Sequence, residues 1–276
     1  MPEVCVTGAA HHGRPSFLGK VNNFDVYRCG ACGCMMADVE PSDVEKLFAG
    51  LYEHSEYYTI KSGSAEQIEA EWGDRWRYVL AKTLAVMAPK KPRTMLDVGS
   101  GNGYLVHIAG SEFGIEATGV EPAASPAKFA RETFGVAIDN CFLHDHKGSG
   151  YSIITTFNVI EHTYDPDAFL KDIHDRLEPG GYLVIATSNP RDLRSRLRKP
   201  QECSFLTPPH NINLFTRKGL LTYLENSGFV PEYHETISTF LRCIRGPGSR
   251  PLKRMISWTL KALGLGGDVF VIARKA

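Results

Sequence analysis

The sequence predicts an α/β fold in which a mostly parallel sheet of seven strands is covered by helices on both faces. After Pro92, short apolar segments alternate with amphipathic helical segments, as in a parallel sheet. The first of these strands ends in a glycine-rich turn that opens a helix. The chain has 276 residues, 43% of them hydrophobic, which is enough apolar material for a large core.

The predicted strands and helices follow one another in the order that this fold requires. The strands are 94–98, 116–121, 136–138, 151–157, 182–187, 229–234 and 269–273. The helices between them are 103–113, 125–134, 165–177 and 216–227, and Gly228 ends the last one. An earlier helix at 65–87 is closed by Pro89 and Pro92, which cannot continue a helix.

Composition divides the chain into three segments. Residues 1–40 are rich in Gly, Cys and His and have little periodic pattern. Residues 41–91 are helical in character, and Pro41-Ser42-Asp43 reads as a helix start before apolar residues at 44, 47, 48 and 51. Residues 92–276 carry the α/β pattern. We therefore expect a small Cys-rich N-terminal segment, a helical lead-in and one α/β domain.

Charge and hydropathy exclude several classes of protein. The 31 Lys and Arg residues balance 31 Asp and Glu residues, which argues against binding of nucleic acid by the whole chain. No stretch approaches the ~20 apolar residues of a membrane span. The first twenty residues contain no secretory apolar block, so we expect a cytoplasmic chain. The seven cysteines are too sparse for a disulfide scaffold of this size.

The most informative stretch is the glycine turn Leu96-Asp97-Val98-Gly99-Ser100-Gly101-Asn102-Gly103. Its glycines let the backbone approach a ligand closely. A nicotinamide site needs G-x-G-x-x-G, but the third position is Tyr104 counted from Gly99 and Val106 counted from Gly101. The spacing therefore argues against a nicotinamide oxidoreductase. The acid at Asp97 suits a ligand that carries a cation.

A second acid, Glu121, ends the second strand, 22 residues after Gly99. An acid at that point commonly accepts hydrogen bonds from two ribose hydroxyls. A cationic ligand with a free ribose diol fits S-adenosylmethionine. The alternative is an ordinary loop with Glu121 at the surface, which the register of Asp97 and Glu121 disfavours.

Together these residues resemble the class I S-adenosylmethionine-dependent methyltransferases. The resemblance runs from Pro92 to the C-terminus. The segments that carry it are LDVGSGNG (96–103), TGVEP (118–122), TTFNVIEHTYDP (155–166), LEPGGYLVIATSNP (177–190), HNINLFTRKGL (210–220) and GGDVFVIARKA (266–276). The resemblance implies a Rossmann-like fold and S-adenosylmethionine as the cofactor.

The resemblance also assigns roles to residues at the strand ends. It implies that the turn with Gly99, Gly101 and Gly103 holds the methionine part and the ribose, and that Glu121 takes the ribose diol. Asn140 and Cys141, after the third strand, would flank the adenine. Asn158, at the end of the fourth strand, would face the amino acid end of the cofactor.

Two histidines have a setting for acid–base chemistry. His162 follows the fourth strand, and His210 lies just before Phe215, in the segment that caps the substrate pocket of related enzymes. Either can accept a proton from a substrate hydroxyl, because imidazole titrates near neutral pH. The pair Glu161-His162 also occurs in ubiquinone-type O-methyltransferases, where an acid–histidine cluster can hold a divalent metal. Alternatively His162 only hydrogen-bonds a loop, and alignment of the reactants supplies the rate.

The N-terminal cysteines predict a zinc site. Cys29 and Cys32 form a C-x-x-C knuckle, which puts two thiolates on one turn. The matching knuckle at Cys5 is broken, because Gly8 stands three residues later. The segment resembles the zinc-ribbon N-terminus of a subset of bacterial methyltransferases, which implies a structural zinc held by Cys5, Cys29, Cys32 and Cys34. His11 or His12 can also complete the set, and a ribbon that folds without metal is the alternative.

Two basic segments suggest partners. Arg191, Arg194, Arg196, Arg198 and Lys199 follow the fifth strand, on the substrate side of the sheet. Arginine pairs with phosphate or carboxylate through two hydrogen bonds, so the run favours an anionic small molecule, although a solvated helix face is the commoner explanation. The basic amphipathic stretch 252–263 can contact a membrane surface, cover a pocket or form a homodimer contact.

These observations predict a methyltransferase that acts on a small molecule, most simply a hydroxyl of an anionic or sugar-like bacterial metabolite. One alternative is an N- or C-methyltransferase of secondary metabolism. Another is a non-catalytic protein in which the ribbon recognises RNA or a partner and the α/β domain is a scaffold. The intact glycine turn and Glu121 speak against the second alternative.

Overall fold

The structure is a computed structural model that describes Cys5, Thr7 and residues 15–43, 64–197, 199, 202–237, 255–256 and 259–276. Several predictions therefore lie outside the described residues. They concern His11 and His12, the predicted helix after residue 43, Arg198, and residues 252–254 and 257–258 of the predicted C-terminal helix. Residues 255–256 and 259–262 of that helix are helical.

Eleven strands are present among the described residues. They are β1 (Pro15–Val21), β2 (Phe24–Cys29), β3 (Met35–Asp38), β4 (Thr94–Val98), β5 (Glu116–Val120), β6 (Ala137–Asp139), β7 (Tyr151–Phe157), β8 (Leu177–Ser188), β9 (Asn213–Leu214), β10 (Phe229–Ile237) and β11 (Asp268–Lys275). The α-helices are α1 (Ala65–Met87), α2 (Tyr104–Phe113), α3 (Ala124–Phe134), α4 (Pro166–Arg176), α5 (Leu193–Arg196) and α6 (Arg217–Asn226).

The larger sheet has seven strands in the order β10-β11-β8-β7-β4-β5-β6. β4 lies between β7 and β5 and pairs in parallel with both, and β5 pairs in parallel with β6. The predicted α/β fold with a seven-stranded, mostly parallel sheet is confirmed. One boundary differs clearly: β8 begins at Leu177 rather than Tyr182, because the Pro-Gly-Gly segment read as a turn continues the strand.

The core of this sheet is made by the apolar runs that predicted its strands. Fully buried side chains on the central strands are Met95, Leu96, Ile153, Ile154, Leu183, Val184 and Ile185. Burial of each large aliphatic side chain contributes about 1.5–3 kcal/mol relative to exposure. Continuous apolar runs are expected where both faces of a parallel sheet are covered.

The N-terminal segment forms a second, smaller sheet in the order β1-β2-β3-β9. β1 and β2 pair in antiparallel fashion through the two-residue turn Asn22-Asn23, both of which have positive φ, +50° and +69°. Asparagine tolerates this left-handed conformation, which matches the twist of a tight hairpin. A two-residue turn between apolar flanks is a short signal, and the sequence-based prediction of this segment did not use it.

The chain divides into two compact units. One comprises residues 1–44, 160–166 and 186–271 and contains the smaller sheet, while the other comprises residues 45–159, 167–185 and 272–276 and contains β4 to β7. Strands β8 and β11 contribute residues to both. Within the described part of the chain, no helix combines the length and apolar character needed to cross a bilayer.

Candidate cofactor and active site

The glycine turn follows β4 and contains three glycines with positive φ: +73° at Gly99, +53° at Gly101 and +72° at Gly103. A Cβ added at Gly99 would lie 2.4 Å from Val159 Cγ2, and one added at Gly103 would lie 2.6 Å from Ala130 Cβ. A Cβ added at Gly101 would meet no atom within 4 Å. Packing therefore explains Gly99 and Gly103, whereas Gly101 borders open space that a ligand can fill.

That space is a cleft of ≈ 240 Å³. Four of its lining residues were predicted as cofactor contacts: Asp97, Gly99, Gly101 and Asn158. The others are Trp72, Arg75, Trp76, Ser100, Asn102, Leu105, Pro126 and Phe157. The predicted residues Gly103, Glu121, Asn140 and Cys141 do not line it.

Asp97 is a buried carboxylate in this cleft. Its side chain is 4% exposed and accepts a hydrogen bond of 2.6 Å from Thr155 Oγ1. Burial raises the pKa of Asp97 to about 7, and the nearby Glu121 charge adds to the rise, while the Thr155 hydrogen bond opposes it. A ligand that brings a positive charge to this carboxylate compensates for its lost solvation. The geometry thus fits the cation predicted from the sequence.

Glu121 lies directly after β5 and joins the glycine turn to the start of α3. Its two carboxylate oxygens accept hydrogen bonds from the backbone N–H of Gly101 at 2.9 Å and of Ala123 at 2.8 Å. Burial raises the pKa of Glu121, and the two backbone donors oppose that rise. Each carboxylate oxygen can accept a further hydrogen bond, so the group retains capacity for ribose hydroxyls.

Asn140 and Cys141 follow β6. Asn140 Nδ2 donates to the backbone oxygens of Glu121 at 2.8 Å and Pro122 at 2.9 Å. The backbone N–H of Cys141 donates to Asp139 O at 3.0 Å. The side chain of Asn140 thus holds the backbone that carries Glu121 in place.

Asn158 directly follows β7, lines the cleft and has a φ of +55°. A non-glycine residue in the left-handed region costs about 1 kcal/mol or more, and Asn tolerates it better than most. Such strain at the rim of a cleft is typical of functional sites.

The two predicted histidines lie side by side in one unit. His162 ends a 3-10 turn at Ile160–His162, and its ring centroid is 4.3 Å from that of His210. His162 Nδ1 donates to the carbonyl oxygen of His210 at 2.9 Å. Because a carbonyl oxygen only accepts, the neutral His162 ring carries its lone pair on Nε2. Neither histidine is among the residues that line the cleft.

Glu161 does not join these histidines in a metal-ligand set. It is buried, and its carboxylate accepts hydrogen bonds from Thr187 Oγ1 at 2.7 Å and Ser188 Oγ at 3.2 Å, both on β8. Among the described residues, the one cluster with metal-ligand geometry is Cys5, Cys29 and Cys32. The carboxylate of Glu161 therefore bonds to side chains of β8, which is a structural role.

Three of the four predicted zinc ligands come together, and the fourth, Cys34, adjoins them. The sulfur atoms of Cys5, Cys29 and Cys32 lie within 4.8 Å of one another, and all three side chains are buried. A Cβ added at Gly219 would lie 2.1 Å from Cys34 Sγ and 3.5 Å from Cys32 Sγ, so the Cys34 sulfur adjoins the cluster at the start of α6. Four clustered cysteine sulfurs are a donor set that fits a structural Zn²⁺.

Hydrogen bonds within the cluster shift the pKa values of its thiols in opposite directions. Hydrogen bonds from Cys32 and Cys34 lower the pKa of Cys5 to about 4, although burial opposes them. Hydrogen bonds with Cys32 and Cys5, together with burial, raise the pKa of Cys34. The cluster thus already favours one thiolate, which is the form that binds a metal.

The basic run after β8 is exposed. Arg194 Nε lies 3.5 Å from Asp192 Oδ2, and Asp192 caps the short helix α5 by accepting from Ser195 N at 2.8 Å. Arg191, Arg194 and Arg196 are exposed, and Arg198 lies outside the described residues.

Three of the cleft residues that the sequence-based prediction missed lie on one helix. Trp72, Arg75 and Trp76 all lie on α1, which precedes the recognised motifs. Their spacing of three and four residues puts them on one helix face, which was the available signal. Helical spacing alone does not say what such a face covers.

The fold and the cleft define a class I S-adenosylmethionine-dependent methyltransferase. A family model described as "Methyltransferase domain" matches residues 68–234, more than half of the chain. The chain belongs to this family, whose cofactor is S-adenosylmethionine.

Curated relatives match less than half of the chain. The ubiquinone biosynthesis O-methyltransferase of Vibrio atlanticus is 31% identical over 132 residues, which cover 45% of this chain and 53% of the relative. The tRNA U34 carboxymethyltransferase of Alteromonas mediterranea is 28% identical over 132 residues, covering 44% of this chain and 39% of the relative. The chain thus spans about half the length, or less, of the curated relatives that it matches.

Solved structures share the fold. The Burkholderia thailandensis 1,6-didemethyltoxoflavin-N1-methyltransferase, solved with S-adenosylhomocysteine, has a TM-score of 0.54 and 17% identity, covering 95% of this chain and 99% of that one. An Archaeoglobus fulgidus S-adenosylmethionine-dependent methyltransferase has a TM-score of 0.51 and 22% identity, covering 75% and 97%. At these identities the likeness shows the fold alone.

Proposed function

We propose that this chain transfers the methyl group of S-adenosylmethionine to a hydroxyl oxygen of a small-molecule acceptor. The observation that carries the proposal is the buried carboxylate of Asp97 beside the open space at Gly101. A carboxylate with a raised pKa in a cleft gains most from a cationic ligand, and the cofactor carries both an ammonium and a sulfonium.

The resemblance to class I methyltransferases assigns the residues that would hold the cofactor. Asp97 and the backbone at Gly99 and Gly101 would bind the methionine part, and Asn158 would face the amino acid end. Glu121, after the neighbouring strand β5, would accept the ribose hydroxyls. Asn140 and Cys141, after β6, would flank the adenine. The bound cofactor supplies an electrophilic methyl group, and the chain aligns the acceptor with it and excludes water.

His162 and His210 are the proposed groups for proton removal from the acceptor. The support is the tautomer of His162: because Nδ1 donates to the His210 carbonyl oxygen, Nε2 is the proton-accepting atom of the neutral ring. An imidazole held in one tautomer and one orientation is suited to general-base catalysis.

The choice of oxygen as the methylated atom rests on several curated relatives that are ubiquinone biosynthesis O-methyltransferases. An anionic acceptor is supported by the exposed Arg191, Arg194 and Arg196, with Arg198 next in sequence.

The described cysteines are free thiols, which suits the reducing cytoplasm.

Isothermal titration of the full chain with S-adenosylmethionine tests this function, followed by a search for methylated products among hydroxylated small molecules. Binding with release of S-adenosylhomocysteine in the presence of an acceptor supports it. Absence of binding at millimolar cofactor favours the non-catalytic alternative.

We also propose that Cys5, Cys29, Cys32 and Cys34 hold one structural Zn²⁺. All four positions are sulfur, which leaves none open for a substrate. Metal analysis of the purified chain should find one zinc per chain, and Cys32→Ser should lose it. Cys141→Ser, outside the cluster, is the control. A metal-free wild-type protein that unfolds at the same temperature with and without added zinc favours a ribbon that needs no metal.

A further inference from the structure

Helix α1 brings an aromatic surface and one positive charge to the cleft. The rings of Trp72 and Trp76 are stacked, with centroids 5.8 Å apart and planes 13° apart. Trp76 also meets Phe157 edge to face at 4.8 Å. The Arg75 guanidinium carbon lies 5.5 Å from the Trp72 ring centroid and 5.2 Å from that of Trp76. These four side chains all line the cleft.

The position of α1 is fixed by a neighbouring stripe of the same helix. The Arg77 side chain donates hydrogen bonds to the carboxylate of Glu69. Glu69 lies four residues before Gly73, and Arg77 lies four residues after it. A Cβ added at Gly73 would lie 2.7 Å from atoms of both side chains, so the glycine leaves room for this pair. Glu69 also accepts a hydrogen bond from the hydroxyl of Tyr104, the first residue of α2.

The aromatic surface includes Phe157, which lies on the opposite side of β4 in the sheet order from the predicted ribose acid Glu121. In the sheet, β4 is flanked by β7 on one side and by β5 on the other. Glu121 follows β5, whereas Phe157 ends β7. If the cofactor runs from β4 toward β5 and β6, the surface made by Trp72, Trp76 and Phe157 faces its methyl-bearing side rather than its adenosine.

We propose that Trp72, Trp76, Phe157 and Arg75 form the acceptor subsite, and that the acceptor is a planar conjugated ring bearing an acidic hydroxyl and a negative charge. This inference rests on the proposed methyl transfer. Flat aromatic side chains favour flat π-systems, because offset or edge-to-face ring pairs add stabilisation beyond the burial of their area. Among the described residues that line the cleft, Arg75 is the one cation.

The subsite also has a chemical role. A guanidinium beside the acceptor favours its deprotonated oxygen, because the positive charge stabilises the oxyanion. The hydroxyl proton leaves to water or to a base, and the oxygen lone pair forms the new C–O bond. As the C–O bond forms, the C–S bond to the methyl group breaks. The electron pair of the C–S bond stays on sulfur, which becomes a neutral thioether. Arg75 thus binds the acceptor in its reactive form.

The test compares three probes of similar size on the full chain saturated with S-adenosylhomocysteine. Protocatechuate is aromatic and anionic, catechol is aromatic and neutral, and shikimate is anionic with a non-aromatic ring. We expect protocatechuate to bind about tenfold or more tightly than either of the others, as measured by calorimetry. Arg75→Gln should remove the advantage over catechol, and Trp76→Leu should remove the advantage over shikimate.

Controls separate this inference from the proposed function. Asp74→Asn changes one charge at an exposed position of the same helix and should leave all three affinities unchanged. Trp76→Phe keeps an aromatic ring and should restore most of the preference if Trp76→Leu folds poorly. The dissociation constant of S-adenosylhomocysteine, measured for each variant, reports the cofactor site independently.

The outcomes are distinct. If the wild-type chain fails to bind S-adenosylhomocysteine, the proposed function fails. If it binds S-adenosylhomocysteine but does not discriminate among the three probes, the acceptor subsite is wrong. If Arg75→Gln weakens S-adenosylhomocysteine about tenfold and leaves the preference for protocatechuate intact, Arg75 holds the cofactor carboxylate instead, and the inference is overturned.

Discussion

Arg77 of α1 and Glu112 of α2 form a two-pronged ion pair, with Arg77 Nε 2.7 Å from Glu112 Oε2 and Nη2 2.6 Å from Oε1. The same guanidinium bonds Glu69, so one side chain links two carboxylates on two helices. The carboxylates raise the pKa of Arg77 further above its ordinary value. Because α2 begins directly after the glycine turn, this contact sets where α1 lies over the cleft.

Replacement of Arg77 by Gln should shift the aromatic face of α1 and should lower the unfolding free energy only slightly. The pair is about one-third exposed, so its loss should cost only about 0.5–1 kcal/mol of unfolding free energy. Tryptophan fluorescence should shift, because Trp72 and Trp76 lie on the same helix. Lys171→Gln, which breaks an exposed pair with Asp175 on α4, is the control and should leave the emission unchanged. An Arg77→Gln emission spectrum identical to wild type would show that α1 is held by other contacts.

Asp97→Asn should stabilise the unliganded chain while it weakens cofactor binding. Burial raises the Asp97 pKa from 3.8 to about 7, so the folded state binds this proton more tightly than the unfolded state does. The contribution of Asp97 to the unfolding free energy is therefore fully present below pH 4 and is lost as the pH rises to about 7. Removal of the charge should raise the unfolding free energy at pH 8 by roughly 1–3 kcal/mol.

The cofactor affinity of the same variant should fall by about tenfold to a hundredfold, because the ligand loses a charged partner. Denaturant melts at pH 5 and pH 8 give the stability difference, and calorimetry gives the affinity. Wild-type affinity should itself decline below pH 7, where Asp97 takes up a proton. A variant that is less stable than wild type at both pH values, with unchanged affinity, contradicts the assignment.

Gly101→Ala and Gly103→Ala should separate ligand space from packing space. Both glycines have positive φ, so each substitution costs about 1 kcal/mol of backbone strain. At Gly103 the new methyl group also meets Ala130, which should add about 1–3 kcal/mol, whereas at Gly101 it meets nothing in the chain. Gly101→Ala should therefore lower cofactor affinity with a modest drop in Tm. Gly103→Ala should lower the Tm more than it lowers cofactor affinity. Equal effects on Tm and affinity in both variants would refute the distinction.

His162→Gln should lower kcat by about a hundredfold if Nε2 accepts the acceptor proton. Its cofactor Kd should stay near wild type, because His162 is not among the residues that line the cleft. His144→Gln, a strongly exposed histidine after β6, is the control. Full activity in His162→Gln and in His210→Gln would leave alignment of the reactants, and the charge of Arg75, as the sources of rate.

Local patterns explain why much of the α/β unit was predictable. The strands β4 and β7 coincide with short segments rich in Met, Leu and Ile, and Asp97 and Gly101 lie within one motif of a few residues. Contacts between distant segments were not accessible in this way. The pairing of β3 with β9 joins residues 35–36 to 213–214. Likewise, Trp76 lies on α1, and the ion pair of Arg77 with Glu112 joins that helix to α2 across 35 residues of sequence.

The proposed function depends on binding of S-adenosylmethionine in the cleft at Asp97 and Gly101. Isothermal titration of the full chain with this cofactor, beside Asp97→Asn under the same conditions, measures that binding. We predict one site per chain with a wild-type Kd on the order of micromolar and a clearly weaker variant. No binding heat at millimolar cofactor, from a chain whose circular dichroism shows that it is folded, would contradict it.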